Sequence, residues 1–365
     1  MRILILNWRC PRNPRAGGAE FLTYQVAKRL VASGHEVEWF SAAFPGCKAR
    51  EDLEGVLVVR AGRQWTVHLH AFRRYFRRMH SRFDLVIDEV NTVPFFTPLW
   101  AGIPVYMLIY QLAREVWWYE SPFPINFLGF VLEPIYLRLY RRVPVLTESR
   151  STRDDLQKLG FKGPIKVVPV GVEHAGQSPT PKASLPTFLY VGRLAPSKRV
   201  KDILRAFAIF RSRGGHGQLW IVGSGSDSYT RSLQSLSNRL RIGRHVRFWG
   251  HLSTIEKNRR MAEAHVLLMA SVREGWGLVV SEANQFGTPA IVYDVPGLRD
   301  SVRNGVTGLI VEATPNHLAE SMLSLMNDPY LYQCLAHGAQ VWSRELTFDA
   351  AAAQVVQALT AALAA

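Results

Sequence analysis

The chain has 365 residues, a formal charge of +15 and three cysteines. That length exceeds one ordinary hydrophobic core and points to two domains. No apolar run approaches the ~20 residues of a membrane span. Cys10, Cys47 and Cys334 have no metal-ligand spacing and are odd in number, so a reduced, cytoplasmic compartment is expected. The basic excess divides almost evenly between residues 1–175 and the remainder, which excludes a basic tail. Nucleic acid, an anionic membrane and anionic substrates are each compatible with it.

Met1–Asn7 reads as a first strand; it is too short for a secretory leader core and has no small-residue cleavage site after it. A Gly17-Gly18 turn, a helical run Phe21–Ala32 and a strand His35–Ser41 follow. This is a βαβ opening with its glycines at the strand-to-helix turn. Two glycines let backbone approach a diphosphate closely. They are not the three-glycine dinucleotide fingerprint, so NAD binding is not supported.

After a strand at Val56–Arg60, apolar residues Trp65, Leu69, Phe72, Phe76, Met79 and Phe83 recur every three or four positions. That spacing predicts a helix over 65–83. Arg73, Arg74, Arg77 and Arg78 lie on its other side, with no acid in the run. Such a face is either an ordinary solvated surface or a contact for anionic lipid. Strands at Asp84–Asn91 and Pro104–Tyr110 end on polar residues, which makes Glu89, Asn91, Tyr110 and Gln111 candidate cleft residues. Leu112–Arg142, rich in aromatics and prolines, reads as a hydrophobic groove, as a membrane-interface patch with Arg138, Arg141 and Arg142 at its edge, or as packing on the N-terminal sheet, and packing is expected for most of it. Strands Val143–Thr147 and Ile165–Val172 flank a helix beginning near Ser151. Glu173–Pro186, with three prolines and no periodicity, reads as a linker.

The βα pattern then restarts. Phe188–Val191 is a strand, Gly192-Arg193 to Lys198-Arg199 a turn, and Asp202–Arg213 a helix. Strands at Gln218–Val222 and Val246–Trp249 lead into Gly223-Ser-Gly225 and Gly250-His251-Leu252. The buried run Val266–Ser271 leads into Glu274-Gly275-Trp276-Gly277-Leu278-Val279, and a helix Leu278–Phe286 carries Glu282. Strand, glycine turn and helix aim backbone N–H groups and a positive helix end at a phosphate. Glu274 lies before the turn and Glu282 after it, so the two carboxylates grip a ligand at separate points. A strand Pro289–Tyr293, a loop to Gly308 and helices 316–327, 330–344 and 348–365 complete the chain.

The pair Glu274 and Glu282 with seven residues between them, the Gly192-Arg193…Lys198 turn and the Gly17-Gly18 turn resemble retaining glycosyltransferases of family 4. The resemblance spans nearly the whole chain and departs at Tyr110-Gln111, where many relatives have His. It implies an α/β GT-B architecture: two Rossmann-like domains with a cleft between them and a C-terminal helix crossing back to the first. The expected boundaries are 1–173 (acceptor side), 174–186 (linker), 187–345 (donor side) and 346–365 (returning helix).

In function it implies a metal-independent, retaining hexosyl transfer from a UDP- or GDP-sugar to a hydroxyl acceptor. A lipid-linked or cell-envelope acceptor is favoured, by a cytoplasmic protein that is peripheral on the membrane. Arg193 and Lys198 would hold the diphosphate and Glu274 the sugar, while Glu282 would hold the ribose. Gly17, Gly18, Gly192, Gly223, Gly225 and the amides of 275–279 would approach the phosphates, and His251-Leu252 would hold the base. Partners would be nucleotide sugar, acceptor and anionic membrane, with no nucleic acid, cofactor or metal. Two other readings stay open: a GT-B nucleotide-sugar epimerase, and a non-catalytic basic protein binding membrane or nucleic acid.

Overall fold

The structure is a computed structural model that describes residues 1–77, 79–173 and 180–363. It divides into two compact units. The first comprises Met1–Arg114, Phe127–Gly171 and Thr347–Ala365; the second comprises Glu115–Asn126 and Val172–Leu346.

The first unit begins β1 (Arg2–Leu6), α1 (Gly18–Ala32), β2 (Glu36–Ser41), β3 (Arg50–Leu53), β4 (Val56–Arg60), α2 (Val67–Tyr75), α3 (Met79–Arg82), β5 (Leu85–Glu89) and β6 (Val105–Leu108). After α4 (Val116–Glu120), α5 (Ile125–Leu137) leads to β7 (Val145–Thr147), α6 (Arg150–Lys158) and β8 (Ile165–Val167). Its sheet runs β3-β4-β2-β1-β5-β6-β7-β8, parallel throughout except for the antiparallel edge pair β3–β4. Successive side chains of β1 point to opposite faces. Ile3 and Ile5 join one core with α1, and Leu4 and Leu6 join another with Val67, Ala71 and Tyr75 of α2.

In the second unit β9 (Thr187–Val191), α7 (Val200–Ser212), β10 (Gln218–Val222), α8 (Asp227–Arg239) and β11 (Val246–Gly250) come first. Then follow α9 (Thr254–Glu263), β12 (Val266–Met269), α10 (Leu278–Asn284), β13 (Ala290–Tyr293), β14 (Gly308–Val311), α11 (Pro315–Asn327) and α12 (Pro329–Ser343). The six strands are all parallel in the order β11-β10-β9-β12-β13-β14. β9 and β12 are central and wholly buried, as their unbroken apolar runs require when helices cover both faces. The last helix, α13 (Phe348–Leu363), packs on α1 within the first unit, where Ala351, Val355 and Leu359 enter its core.

Three features differ from the sequence reading. The helix expected over 65–83 is two helices with a break after Tyr75. Its inward face is Val67, Ala71, Tyr75 and Met79, so Trp65, Leu69, Phe72 and Phe76 of the expected apolar stripe are exposed. The anchor is polar: the buried Tyr75 hydroxyl and Arg82 both donate to the buried carboxylate of Glu38. Arg73 and Arg77 are exposed, Arg74 is half-buried against the Tyr75 ring, and Arg78 lies outside the described residues. Second, the stretch 112–142 is not mostly packed, because α5 buries only Glu133 and Leu137. Third, residues 115–126, sequence neighbours of the first unit, belong with the second.

Candidate active site

Two loops of the second unit meet at the carboxyl ends of β9 and β12. The first starts at Gly192, and its last turn, Pro196–Lys198, is a short 3₁₀ helix. The second runs from Ser271 to Gly277. They are tied backbone to backbone, with Val272 N–H donating to the Ser197 carbonyl at 2.8 Å. Across that tie Lys198 Nζ donates to Glu274 Oε1 at 2.6 Å, and Ser271 Oγ donates to the same oxygen at 2.6 Å. Both charged side chains are largely shielded, at 21% and 13% exposure. Beneath them the Tyr190 hydroxyl donates to the Arg193 carbonyl at 2.9 Å. Burial first, and the Glu274 charge second, push that phenol well above its usual range.

Arg193 is more open. Its guanidinium donates at 2.9 Å to Glu120 of α4, and the other Glu120 oxygen accepts from Ser197 Oγ. A carboxylate therefore occupies the guanidinium expected to hold a diphosphate. A second ion pair pins the same segment, with Arg273 donating to Glu115 at 3.0 Å. Glu120, Arg193, Pro196, Ser226 and Tyr229 line a hollow beside this contact.

The glycines do more than expose amides. At Gly223 a Cβ would fall 1.9 Å from the Gly192 carbonyl, and at Gly225 it would fall 2.0 Å from that of Leu194. These turns therefore lie backbone against backbone, and Gly223 N–H also donates to the Gly250 carbonyl at 2.8 Å. His251 beyond it is exposed and Leu252 half-buried. Gly277 takes a left-handed conformation and starts α10, flanked by half-buried Gly275, Leu278 and Val279. The Trp276 ring is buried, its Nε1–H donating to Ser281 Oγ at 2.9 Å, so it anchors the turn rather than stacking on a ligand. Glu282 on α10 receives Lys257 of α9 at 2.7 Å, a partner the sequence reading did not name.

The candidate acceptor residues sit at strand ends of the first unit. Gly17 and Gly18 are exposed, but the Gly17 N–H expected to meet a diphosphate is donated to Glu20 Oε2 at 2.7 Å. Buried Glu20 is also held by Arg9 and by Asn91 Nδ2, each at 2.7 Å. Tyr110 Oη and Thr23 Oγ1 are 2.6 Å apart. Glu89 is buried, its carboxyl facing the Thr23 hydroxyl and the Asn7 amide without closing a well-formed hydrogen bond to either. Burial, and then the charge of Glu20, raise its pKa well above the usual carboxylate range. Gln111 Oε1 is buried without a partner. Among the described residues no cluster of His, Cys, Asp or Glu has metal-site geometry, and no helix is long and apolar enough to cross a membrane.

Two parallel α/β units with functional loops at strand carboxyl ends define the GT-B class of fold. Solved structures share it. Sucrose-phosphate synthase from Thermosynechococcus elongatus superposes with a TM-score of 0.81 at 20% identity, covering 100% of this chain and 99% of that one. Anabaena HepE in complex with UDP-glucose superposes at 0.76 and 17% identity, covering 99% and 100%. Residues 16–175 match glycosyltransferase family 4, and residues 175–342 match glycosyl transferases group 1. Glycogen synthase of Mycobacterium tuberculosis is 30% identical over 393 residues, covering 96% of this chain and 91% of that protein. The chain belongs to the family 4, group 1 glycosyltransferases and is a glycosyltransferase.

Proposed function

We propose that the protein moves a hexose from a UDP- or GDP-sugar to a hydroxyl acceptor with retention, leaving an α linkage, and that two protein cations serve where a metal otherwise would. The observation that carries this is the Lys198–Glu274 contact, which sets an ammonium and a sugar-binding carboxylate side by side on tied loops. In the reaction the bond from the anomeric carbon to the donor phosphate breaks. The acceptor oxygen bonds that carbon on the same face, and the acceptor proton passes to the leaving diphosphate. Negative charge grows on that diphosphate, and Lys198 and Arg193 stabilise it most where it is greatest. Glu274 accepts from sugar hydroxyls and Glu282 from the ribose. Amides of Gly275–Val279 face the phosphates, and His251-Leu252 holds the base. HepE has been solved with UDP-glucose, which supports a nucleotide sugar as donor.

The acceptor would rest on the first unit's strand ends, where Asn91, Tyr110 and Gln111 are half-buried rather than enclosed as Glu89 is. A lipid-linked or cell-envelope acceptor and a cytoplasmic, membrane-peripheral setting complete the proposal, supported by exposed Arg73 of α2 and exposed Arg77 just after it. The epimerase and non-catalytic readings lack an equivalent observation. The test is a panel of nucleotide sugars scored for slow donor hydrolysis and thermal stabilisation. Lys198→Ala and Glu274→Ala should each slow turnover of whichever donor responds by about 10²-fold or more; unchanged turnover in both would sink the proposal.

A further inference from the structure

Two helices of the second unit open beside the candidate site. α9 starts just after the His251-Leu252 turn, and α10 starts at Gly277 and carries Glu282. The Lys257–Glu282 ion pair bridges them at 2.7 Å. A short helix shifts as a unit, so whatever holds its last turn also sets the place of its first.

Both last turns meet at half-buried Lys182, which lies 82 and 104 positions away in sequence. Its Nζ donates to the Ala264 carbonyl just past α9 at 2.7 Å and to the Phe286 carbonyl just past α10 at 3.4 Å. A third bond, at 2.7 Å, goes to Thr288 Oγ1, which donates in turn to the Met261 carbonyl in the last turn of α9. Neighbouring Ala183 donates its N–H to the Glu263 carbonyl at 2.9 Å. The last carbonyls of a helix have no partner within it and carry the negative end of its dipole. An ammonium with three donors here meets two such ends at once.

The groups around this ammonium leave it to titrate by itself. Burial pushes Lys182 down to about 8. At the foot of β12, burial and then the Lys182 charge push His265 down to about 4, so it stays neutral, its Nδ1 accepting from Thr187 N–H at 3.1 Å. On α12, burial raises Tyr332, whose ring lies 6.0 Å from that of His265, to about 12. The Glu263 carboxylate at the end of α9 is taken by Arg259 and Arg260. Loss of the Lys182 proton leaves an amine with two donors for three acceptors and no charge at the helix ends.

We propose that Lys182 is a positioning residue for donor binding: by clamping the ends of α9 and α10 together, it holds the 251–252 turn in place against Glu274 and Glu282. The proposal rests on the reading of those loops as the donor site. Two measurements test it, one of which uses no ligand. In the free protein, hydrogen exchange at neutral pH should be about tenfold faster in Lys182→Met than in wild type, both at the start of α9 and through α10. Lys182→Arg, which keeps the charge, should restore it. In titration calorimetry with UDP, and with GDP in parallel, Lys182→Met should weaken whichever nucleotide binds about threefold or more. With the donor that responds in the nucleotide-sugar panel, KM should rise by a similar factor while kcat stays within about twofold. Wild-type affinity should fall from about pH 6.5 to about 8.5, whereas Lys182→Met and Lys182→Arg should each be flat over that range. Lys182→Gln takes the place of Lys182→Met should the latter fail to fold. A variant with lowered Tm but wild-type exchange at both segments and wild-type nucleotide affinity would overturn the proposal, leaving Lys182 a staple of the fold. So would a pH dependence that persists in Lys182→Met. If wild type binds neither nucleotide, the donor reading fails and takes this role with it, while unchanged exchange alone would refute the clamp and leave the donor reading standing.

Discussion

Lys198 and Glu274, separated by 76 positions in sequence, form a 2.6 Å ion pair that Ser271 extends through a second hydrogen bond to the same carboxylate oxygen. The pair keeps each charge compensated while no substrate is bound. It also sets the cost of altering either residue, because a shielded charge left alone loses solvation it cannot replace.

Lys198→Ala and Glu274→Ala should therefore affect both stability and rate, in separable ways. Each single change should cost about 1–3 kcal/mol of folding free energy by leaving its partner unpaired. The double variant should cost less than the sum. Transfer should fall on the order of 10²–10³-fold for Lys198→Ala, the usual effect of removing one group that stabilises developing charge. Denaturant melts and single-turnover kinetics on the four proteins of the cycle check this. Strict additivity of the folding terms would show that the contact carries no coupling.

Glu120 holds both Arg193 and Ser197, so a diphosphate arriving at Arg193 would have to displace it. The Arg193 side chain is 61% exposed, so solvent screens the pair and its worth is small. Releasing the guanidinium should still help an incoming anion. Glu120→Gln is expected to tighten UDP binding about two- to fivefold, measured by isothermal titration. Weaker binding would mean that Glu120 instead orients Arg193 for the ligand.

Gly297 supports the site from behind. Its φ is +82°, and a Cβ there would lie 2.1 Å from the Glu274 carbonyl oxygen. Alanine at this position meets two penalties, about 1–2 kcal/mol for the left-handed backbone and about 1–3 kcal/mol for the clash. Gly214 has a similar φ of +88° with nothing within 4 Å of the added atom, so Gly214→Ala should show the first penalty only. The difference in Tm between the two variants isolates the clash. Gly297→Ala should also slow transfer, because the backbone of Glu274 must give way.

The legible part of this protein was local. β12, its glycine turn and Glu274 stand together in sequence, as do Gly192, Arg193 and Lys198, so both loops of the candidate site can be located without knowing the fold. Ser253 and Glu256 form a capping box that marks the start of α9, a signal present in the sequence and not used. Edge strand β3 reads Arg-Glu-Asp-Leu and shows no apolar alternation, so it had no signal of its own. What could not be read were contacts closed over long separations. Glu120 reaches Arg193 across 73 positions, and Lys257 reaches Glu282 from a separate helix. Apolar spacing does not reveal the inward face of α2, because small Ala71 and the Tyr75–Glu38 contact, not the larger aromatics, decide which side meets the sheet.

Glu89 offers a test by pH. Its carboxyl is buried, and that burial, with the charge of Glu20, raises its pKa well above the ordinary 4.5. Between 4.5 and the raised value the folded chain holds a proton that the unfolded chain has lost. The unfolded state then binds fewer protons, so stability falls as pH rises through this window. The loss should be absent below pH 4.5, where both states are protonated, and complete above the folded-state pKa. Glu89→Gln keeps the shape and removes the titration. Its Tm should match wild type in acid and exceed it by a growing margin as pH rises past 4.5. A margin that stays constant across that range would show that Glu89 ionises normally in the folded protein.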